Sequence, residues 1–269
     1  AFHLEGRRTH DPDVHRALCG PPCTYVGHPL VERMDWIRAV DPAPLRDRLS
    51  LAPAEPVLVV LPGSRRSEIE RLMEPFGGAL GALGRRGQGP RVLLPVLPHV
   101  RALVAERARS WPVPPTLLDG EEDKFRAFKL ARAALAASGT VTLEVGLAGA
   151  PMAVAYRVDA VAARLRFLVR TPHFALANLV LGRRAFPELM QEDCEPQRLA
   201  TALADLLADS PTRATQLEAI GELPRRIALP PGTTPSGTAA HIVLAYAEQG
   251  RAARVAALKT VPRAADGTA

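Results

Sequence analysis

Short, uninterrupted apolar runs, separated by helix-length segments, set the pattern of this chain. Pro56-Val57-Leu58-Val59-Val60-Leu61 is β-branched and continuous, as strands buried on both faces are. Comparable runs recur at 91–96, 133–137 and 152–156, and Pro115-Thr116-Leu117-Leu118 predicts a further short strand. Cys23-Thr24-Tyr25-Val26 reads as another strand ahead of all these. The alternation is the βαβ rhythm of a parallel sheet with helices on both faces, an α/β, Rossmann-like fold. Gly81, Gly84, Gly87 and Gly89 predict a helix end that loosens before the 91–96 run. After Pro196 the pattern turns helical, over 197–209, 212–227 and, past Pro230-Pro231-Gly232, near 236–249. The Ala- and Arg-rich tail from Arg251 is expected to fray.

The turns that follow these strands carry the candidate chemistry. Ala137-Ser138-Gly139-Thr140 follows the run 132–136, and a helix is expected to open at Thr140. Strand, small-residue turn and helix leave backbone N–H groups at the strand's carboxyl edge, where an α/β protein holds a phosphate. Glu144, one turn into that helix, is within reach of a pair of ribose hydroxyls; a solvated Glu behind a Gly turn is the plainer reading. Pro62-Gly63-Ser64-Arg65 repeats the logic after the 56–61 run. Gly63 lets the backbone approach a ligand closely, and Arg65 offers a planar donor fork where a diphosphate would lie. A helix starts over 66–70, with Ser67 and Glu70 spaced as a capping box. The third turn is Gly27-His28-Pro29-Leu30, in which Pro29 suits a first helical position and keeps His28 out of the helix. His28 is expected to project from the same edge as Arg65 and Ser138, so that the three turns form one pocket.

Five ordered blocks carry a resemblance to a known family. They are Val26-Gly27-His28-Pro29-Leu30, Leu61 through Glu68, Ala137-Ser138-Gly139-Thr140 through Glu144, Pro151 through Arg157, and Glu188-Leu189-Met190-Gln191-Glu192-Asp193-Cys194-Glu195-Pro196. In order and evenly spread from about residue 13 to 250, they resemble the lipid-A-disaccharide synthase family. That resemblance implies a GT-B glycosyltransferase: two Rossmann-like domains, with the nucleotide sugar bound mainly by the second. At 269 residues, with the donor-side motifs starting near residue 23, the chain is expected to be one GT-B half plus C-terminal helices. The expected division is 1–22 as a linker or remnant of an upstream domain, 23–232 as the UDP-sugar-binding domain, and 233–269 as a helix and frayed tail. The acceptor-binding domain is expected to be largely absent.

The same resemblance implies the reaction, an inverting transfer that uses no metal and no cofactor. UDP-2,3-diacylglucosamine would give its sugar to the 6-hydroxyl of 2,3-diacylglucosamine 1-phosphate, releasing UDP. Arg65 would stabilise the charge growing on the departing UDP, together with the helix starts after Ser64 and Ser138. Gly27, Gly63, Ser64, Ser138, Gly139, Thr140, Glu144, Asn178 and Gln191 are implied to bind substrate, with Glu144 on the ribose. His28 is implied to sit at the donor phosphates. Ala177 departs from the pattern, since the family usually has Pro before that Asn. The general base is expected in the first domain. Two other readings stay open: another GT-B UDP-sugar enzyme, and a non-catalytic UDP-binding fragment.

A net charge of +6 raises the question of nucleic acid, but the Arg residues are scattered and aromatics make up only 4%, so no aromatic-interleaved basic cluster exists. Anionic phospholipid or phosphorylated substrates fit the charge better. Arg164, Arg166 and Arg170 alternate with Leu165, Phe167, Leu168 and Val169, a pattern open both to a membrane-surface helix and to an ordinary outer helix. Cys19, Cys23 and Cys194 make neither a zinc spacing nor an even disulfide set, which favours a reducing compartment. With no apolar run long enough to span a bilayer, the expectation is a cytoplasmic protein, at most peripheral on the inner membrane, with a homodimer left open.

Overall fold

The computed structural model describes residues 24–85, 89–158 and 173–248. The expected upstream remnant, Cys19, Cys23, Gly87, the arginine-alternating stretch from 159 to 170 and the expected frayed tail lie outside these residues.

Alternation along the central strand dictates the layers. In β1 (Val57–Leu61) every residue is buried, with Leu58 and Val60 in one core and Val57, Val59 and Leu61 in the other. A strand apolar on both faces needs a helical layer on each side. The other strands are β2 (Arg91–Pro95), β3 (Thr116–Leu118), β4 (Ala131–Ala137), β5 (Met152–Tyr156) and β6 (Glu188–Met190). They form one six-stranded sheet in the order β3-β2-β1-β4-β5-β6, and every pairing is parallel. Val59 aligns with Leu93 on one side and Ala134 on the other.

The helices, in chain order, are α1 (Met34–Ala39), α2 (Ala43–Arg48), α3 (Arg66–Arg85), α4 (Arg101–Ala108), α5 (Glu121–Leu130), α6 (Val141–Leu147), α7 (Leu176–Leu181), α8 (Pro196–Leu207), α9 (Pro211–Ile227) and α10 (Pro235–Glu248). Short 3-10 turns occupy Pro29–Arg33, Pro98–Val100 and Gln191–Asp193. Helices α3, α4 and α8 bury their apolar stripes in the Leu58 core. The Val59 core takes residues of α1, α2, α5, α6, α7 and α9. This is the expected Rossmann-like architecture.

From β1 the chain winds outward to β2 and β3, then crosses back to β4 on the other side of β1. The loops leaving β1 and β4 therefore diverge and open a crevice at the carboxyl edge, the position at which doubly wound sheets take their ligands.

Three local expectations change. Residues 24–28 have no regular secondary structure, so the predicted strand before Gly27 does not join the sheet. β6 is an added strand, only three residues long and opened by a charged Glu188, too short for an apolar-run criterion. Helix α3 does not loosen at its glycines but runs through Gly81 and Gly84 to Arg85. Its Gly77 serves packing: a Cβ there would lie 2.3 Å from Trp111 Cδ1, and the indole Nε1 donates to the Met73 carbonyl at 2.9 Å.

Candidate functional site

The loop leaving β1 is shaped by a carboxylate from its own helix. Glu68 is 7% exposed, and its Oε2 accepts from the backbone N–H of Ser64 at 3.0 Å and of Arg65 at 3.2 Å. Its Oε1 accepts from Arg65 Nη1 at 3.0 Å. Glu68 thus caps α3, while Glu70, the expected partner in a Ser67 capping box, instead pairs with Arg66 at 3.3 Å. The correction has a physical cause: the helix begins at Arg66, so the third helical residue, which reaches back to the cap, is 68. Gly63 adopts φ +113°, and a Cβ on it would stand 2.5 Å from Glu68 Oε2. Only Gly allows the chain to close onto the carboxylate this tightly. Ser64 and Arg65 are left exposed, with 75% of the Arg65 side chain accessible.

A residue not foreseen in the sequence, His99, braces the loop from the other side. Its Nε2 lies 3.0 Å from the Ser64 carbonyl oxygen, and with Ser64, Arg65, Arg66, Val100 and Leu103 it lines a cleft of about 300 Å³. The signal available was Leu97-Pro98-His99, an X-Pro-His turn directly after β2.

The loop leaving β4 lies beside it across the switch point. Ser138 donates its hydroxyl to the Phe174 carbonyl at 2.7 Å, and Thr142 donates to the Gly139 carbonyl at 2.8 Å. Thr140 is exposed at the helix start, as expected. Behind it, Glu144 Oε2 accepts from Lys124 Nζ at 2.9 Å, with only 16% of the Glu144 side chain exposed. The plain reading of a solvated Glu144 does not hold. Lys124 itself was not foreseen; its apolar neighbour Phe125 was the stronger pattern, and the ammonium stands 4.8 Å from that ring's centroid.

Asn178 and Gln191 are placed differently from the exposed groups above. Asn178 is fully buried; its amide donates to the Phe186 carbonyl and to Glu188, and its oxygen accepts from the N–H of Ala185 and Phe186. Glu188 in turn accepts from the N–H of Phe174 and Ala175. Asn178 therefore builds the wall behind Ser138 through Glu188 and Phe174. Gln191 follows β6 at the carboxyl edge with φ +50°, and its Oε1 accepts from the Val158 N–H at 2.6 Å. A left-handed Gln costs about 1 kcal/mol or more and persists only when its surroundings fix it.

Gly27 and His28 carry structural duties. A Cβ on Gly27 would lie 2.6 Å from the Leu229 side chain, and His28 Nδ1 accepts from the Leu30 N–H at 3.2 Å, capping the Pro29–Arg33 turn. Arg33 from that turn reaches Glu121, the first residue of α5, at 2.6 Å. The turn thus runs along the same carboxyl edge.

The groups at this edge are an exposed guanidinium, the loop that leads from β4 into the N-terminus of α6, and a half-hidden carboxylate on a lysine. Such a set is chemically suited to an anion next to a hydroxylated group. Among the described residues, no cluster of three or more His, Cys, Asp or Glu is placed to hold a metal. Cys194 is buried, and burial pushes its thiol above the usual range despite the Arg157 guanidinium, which disfavours the thiolate. A larger cleft of about 510 Å³ opens where β1 and β4 begin, at the opposite edge. There Arg132 pairs with Asp209 and donates to the Leu207 carbonyl, and Arg213 donates to the carbonyls of Arg132 and Leu206. Its arginines are thus largely committed to the protein itself.

Known proteins match this chain in sequence and in shape. A family profile described as lipid-A-disaccharide synthetase matches residues 19–225. The lipid-A-disaccharide synthase of Bradyrhizobium diazoefficiens is 47% identical over 250 residues, covering 93% of this chain and 62% of the relative. That of Rhodopseudomonas palustris (strain BisB18) is 48% identical over 235 residues, covering 87% and 58%. The chain therefore spans about three fifths of the length of these relatives. In shape it resembles UDP-GlcNAc 2-epimerase from Neisseria meningitidis bound to UDP-GlcNAc, with a TM-score of 0.54 at 13% identity, covering 83% of this chain and 59% of that one. At that identity the likeness concerns the fold alone. By the extent of the profile match, the chain belongs to the lipid-A-disaccharide synthase family.

Proposed function

We propose that the chain binds the uridine diphosphate end of a nucleotide sugar at the carboxyl edge between β1 and β4, as the donor half of a lipid-A-disaccharide synthase. The reaction is an inverting transfer of 2,3-diacylglucosamine from UDP-2,3-diacylglucosamine to the 6-hydroxyl of 2,3-diacylglucosamine 1-phosphate. The observation that carries this reading is the placement of Arg65 and the Ser138–Thr140 loop on the two strands flanking the switch point. As the acceptor oxygen attacks the anomeric carbon in line, negative charge grows on the leaving diphosphate. Arg65 and the N–H groups of the β4 loop are the donors that meet it. Glu144, steadied by Lys124, takes the ribose hydroxyls.

Exposed Leu97 and Phe174, which stand beside the β2 and β4 loops, suit a substrate that carries acyl chains. They also suit work at a bilayer surface, consistent with a peripheral place on the cytoplasmic face of the inner membrane. No helix among the described residues is long and apolar enough to cross a membrane.

One observation favours a narrower role for the chain by itself. The carboxylates nearest the crevice are all engaged: Glu68 by Arg65, Glu144 by Lys124, and Glu188 by Asn178 and two backbone N–H groups. Each is held by donors of this chain, which supports a donor-binding role for the described residues.

Calorimetric titration with UDP, run beside Glu144→Ala, tests the reading. Saturable binding that the substitution weakens is the expected result. A folded chain that takes up no UDP would sink it. Turnover with both lipid substrates then separates a donor half that is active alone from one that only binds nucleotide.

A further inference from the structure

The nucleotide reading uses Arg65 but assigns nothing to the buried carboxylate beside it. We propose that Glu68 is a positioning residue, whose side chain fixes the Arg65 guanidinium and its loop as one unit facing the diphosphate. The inference rests on that nucleotide reading.

Burying a carboxylate is unfavourable unless donors surround it. Here three donors do, and they are divided between its oxygens. Oε2 holds the backbone N–H groups of Ser64 and Arg65, and Oε1 holds Arg65 Nη1. Backbone and side chain of the same arginine are therefore tied to one rigid group on α3. Gly63 makes the closure possible, since a Cβ there would stand 2.7 Å from Glu68 Cβ. His99, 3.0 Å from the Ser64 carbonyl oxygen, holds the loop from the opposite side.

An exposed arginine is otherwise free to rotate about its long stem, and that freedom is lost when it binds. Anchoring Nη1 restricts the guanidinium before the ligand arrives. Among the described residues, its remaining donors make no hydrogen bond and stay available to phosphate oxygens. The arrangement also has a cost for anion binding, because the carboxylate repels a phosphate. The proposal is that orientation outweighs repulsion.

A cap that merely stabilises α3 predicts a different outcome from a group that aims Arg65. Glu68→Gln separates the two: its carbonyl oxygen still accepts from the Ser64 and Arg65 N–H groups, while its amide presents a donor to the Arg65 donor. Expected for Glu68→Gln are an unchanged thermal midpoint, unchanged affinity for uridine by NMR titration, and UDP affinity lowered about fivefold by calorimetry. In an Arg65→Ala background, the same change should have no further effect on UDP. Undiminished UDP affinity in Glu68→Gln, an equal loss for uridine and UDP, or an additive loss with Arg65→Ala would each overturn the proposal. If Glu68→Gln does not fold, Glu68→Asp, which draws the carboxylate back from Nη1 and from both N–H groups, is read against Arg65→Ala: a loss of UDP affinity that disappears in that background is expected, and one that persists there overturns the proposal. A folded wild-type chain that ignores UDP removes the nucleotide reading and this inference with it. Wild-type binding that Arg65→Ala weakens and the Glu68 variants do not removes this inference alone.

Discussion

Lys124 and Glu144, on α5 and α6, are joined by an ion pair of 2.9 Å that crosses the carboxyl edge of the sheet. Both side chains are largely shielded, at 22% and 16% exposure, and Lys124 is steadied further by the Phe125 ring. The pair restricts the carboxylate assigned to the ribose. Glu144→Ala should therefore lower UDP affinity about tenfold or more, the loss expected for hydrogen bonds to a charged group. Lys124→Met should lower it only a fewfold, because Glu144 remains present but is no longer held. Titrating both variants and their combination with UDP checks this. If Lys124→Met binds UDP as the wild type does while Glu144→Ala does not, the ion pair has no part in binding.

Gln216 is 1% exposed, and its amide brackets the first residue of β5. Oε1 accepts from the Met152 N–H at 2.8 Å, and Nε2 donates to the Met152 carbonyl at 3.1 Å. Removing it leaves two buried backbone groups without partners, each costing about 1–3 kcal/mol. Gln216→Ala should lower unfolding stability by about 2–4 kcal/mol in urea titrations. UDP affinity measured well below the midpoint should not change. A loss under about 0.5 kcal/mol, the level of a surface substitution, would show that water replaces the amide.

Gln216 also marks the limit of what the sequence discloses. β1, β2, β4 and β5 are legible because each carries a run of apolar residues facing two cores. The turns after β1 and β4 are legible because Gly and Ser between a strand and a helix have few other uses. What stays hidden depends on contacts distant in sequence. Gln216 meets Met152 across 64 positions, and Lys124 meets Glu144 across 20. Asn178 meets Phe186 and Glu188, partners that its surrounding sequence does not announce. Gly27 lies against Leu229, about two hundred positions away, a contact no local pattern announces. Glu68 becomes legible only once the helix start is fixed at Arg66, because the residue that reaches back to the loop is then 68 and not 70.

Gly63→Ala acts on both the fold and the site. Its φ of +113° is strained for any L side chain, and the new methyl would meet Glu68 Oε2 at 2.5 Å. Either the backbone shifts or Glu68 leaves the Ser64 and Arg65 N–H groups. The expected result is a stability loss of about 1–3 kcal/mol together with weaker UDP binding. The Ser64 and Arg65 amides should also exchange faster with solvent, since their acceptor is displaced. Unchanged exchange at those two amides would mean that the loop absorbs the methyl elsewhere.

Acid should loosen the turn at Pro29–Arg33 before it affects the sheet. Glu32 accepts from the Ser236 hydroxyl and N–H at 2.6 and 2.7 Å, and these bonds hold its carboxyl below the usual range. The Arg33 guanidinium, hydrogen-bonded at 2.6 Å, does the same for Glu121. Arg33 also rests on Trp36, 4.5 Å from the ring centroid, so this pair ties the turn to both α1 and α5. A carboxyl depressed in the folded state contributes stability that is fully present above its ordinary value of 4.5, and that contribution is lost as pH falls through the depressed folded value. The Arg33–Glu121 pair, being partly exposed, is worth only about 0.5 kcal/mol. Global unfolding should therefore barely register its loss. Amide exchange at residues 30–33 and at Ser236 should rise as pH drops below 4.5, corrected for the intrinsic rate. Glu32→Gln should remove this pH dependence at Ser236 and leave that at Arg33 intact, because Gln neither titrates nor disturbs the Glu121 contact. A Ser236 amide whose protection is equally pH-dependent in Glu32→Gln would assign the acid sensitivity to another group.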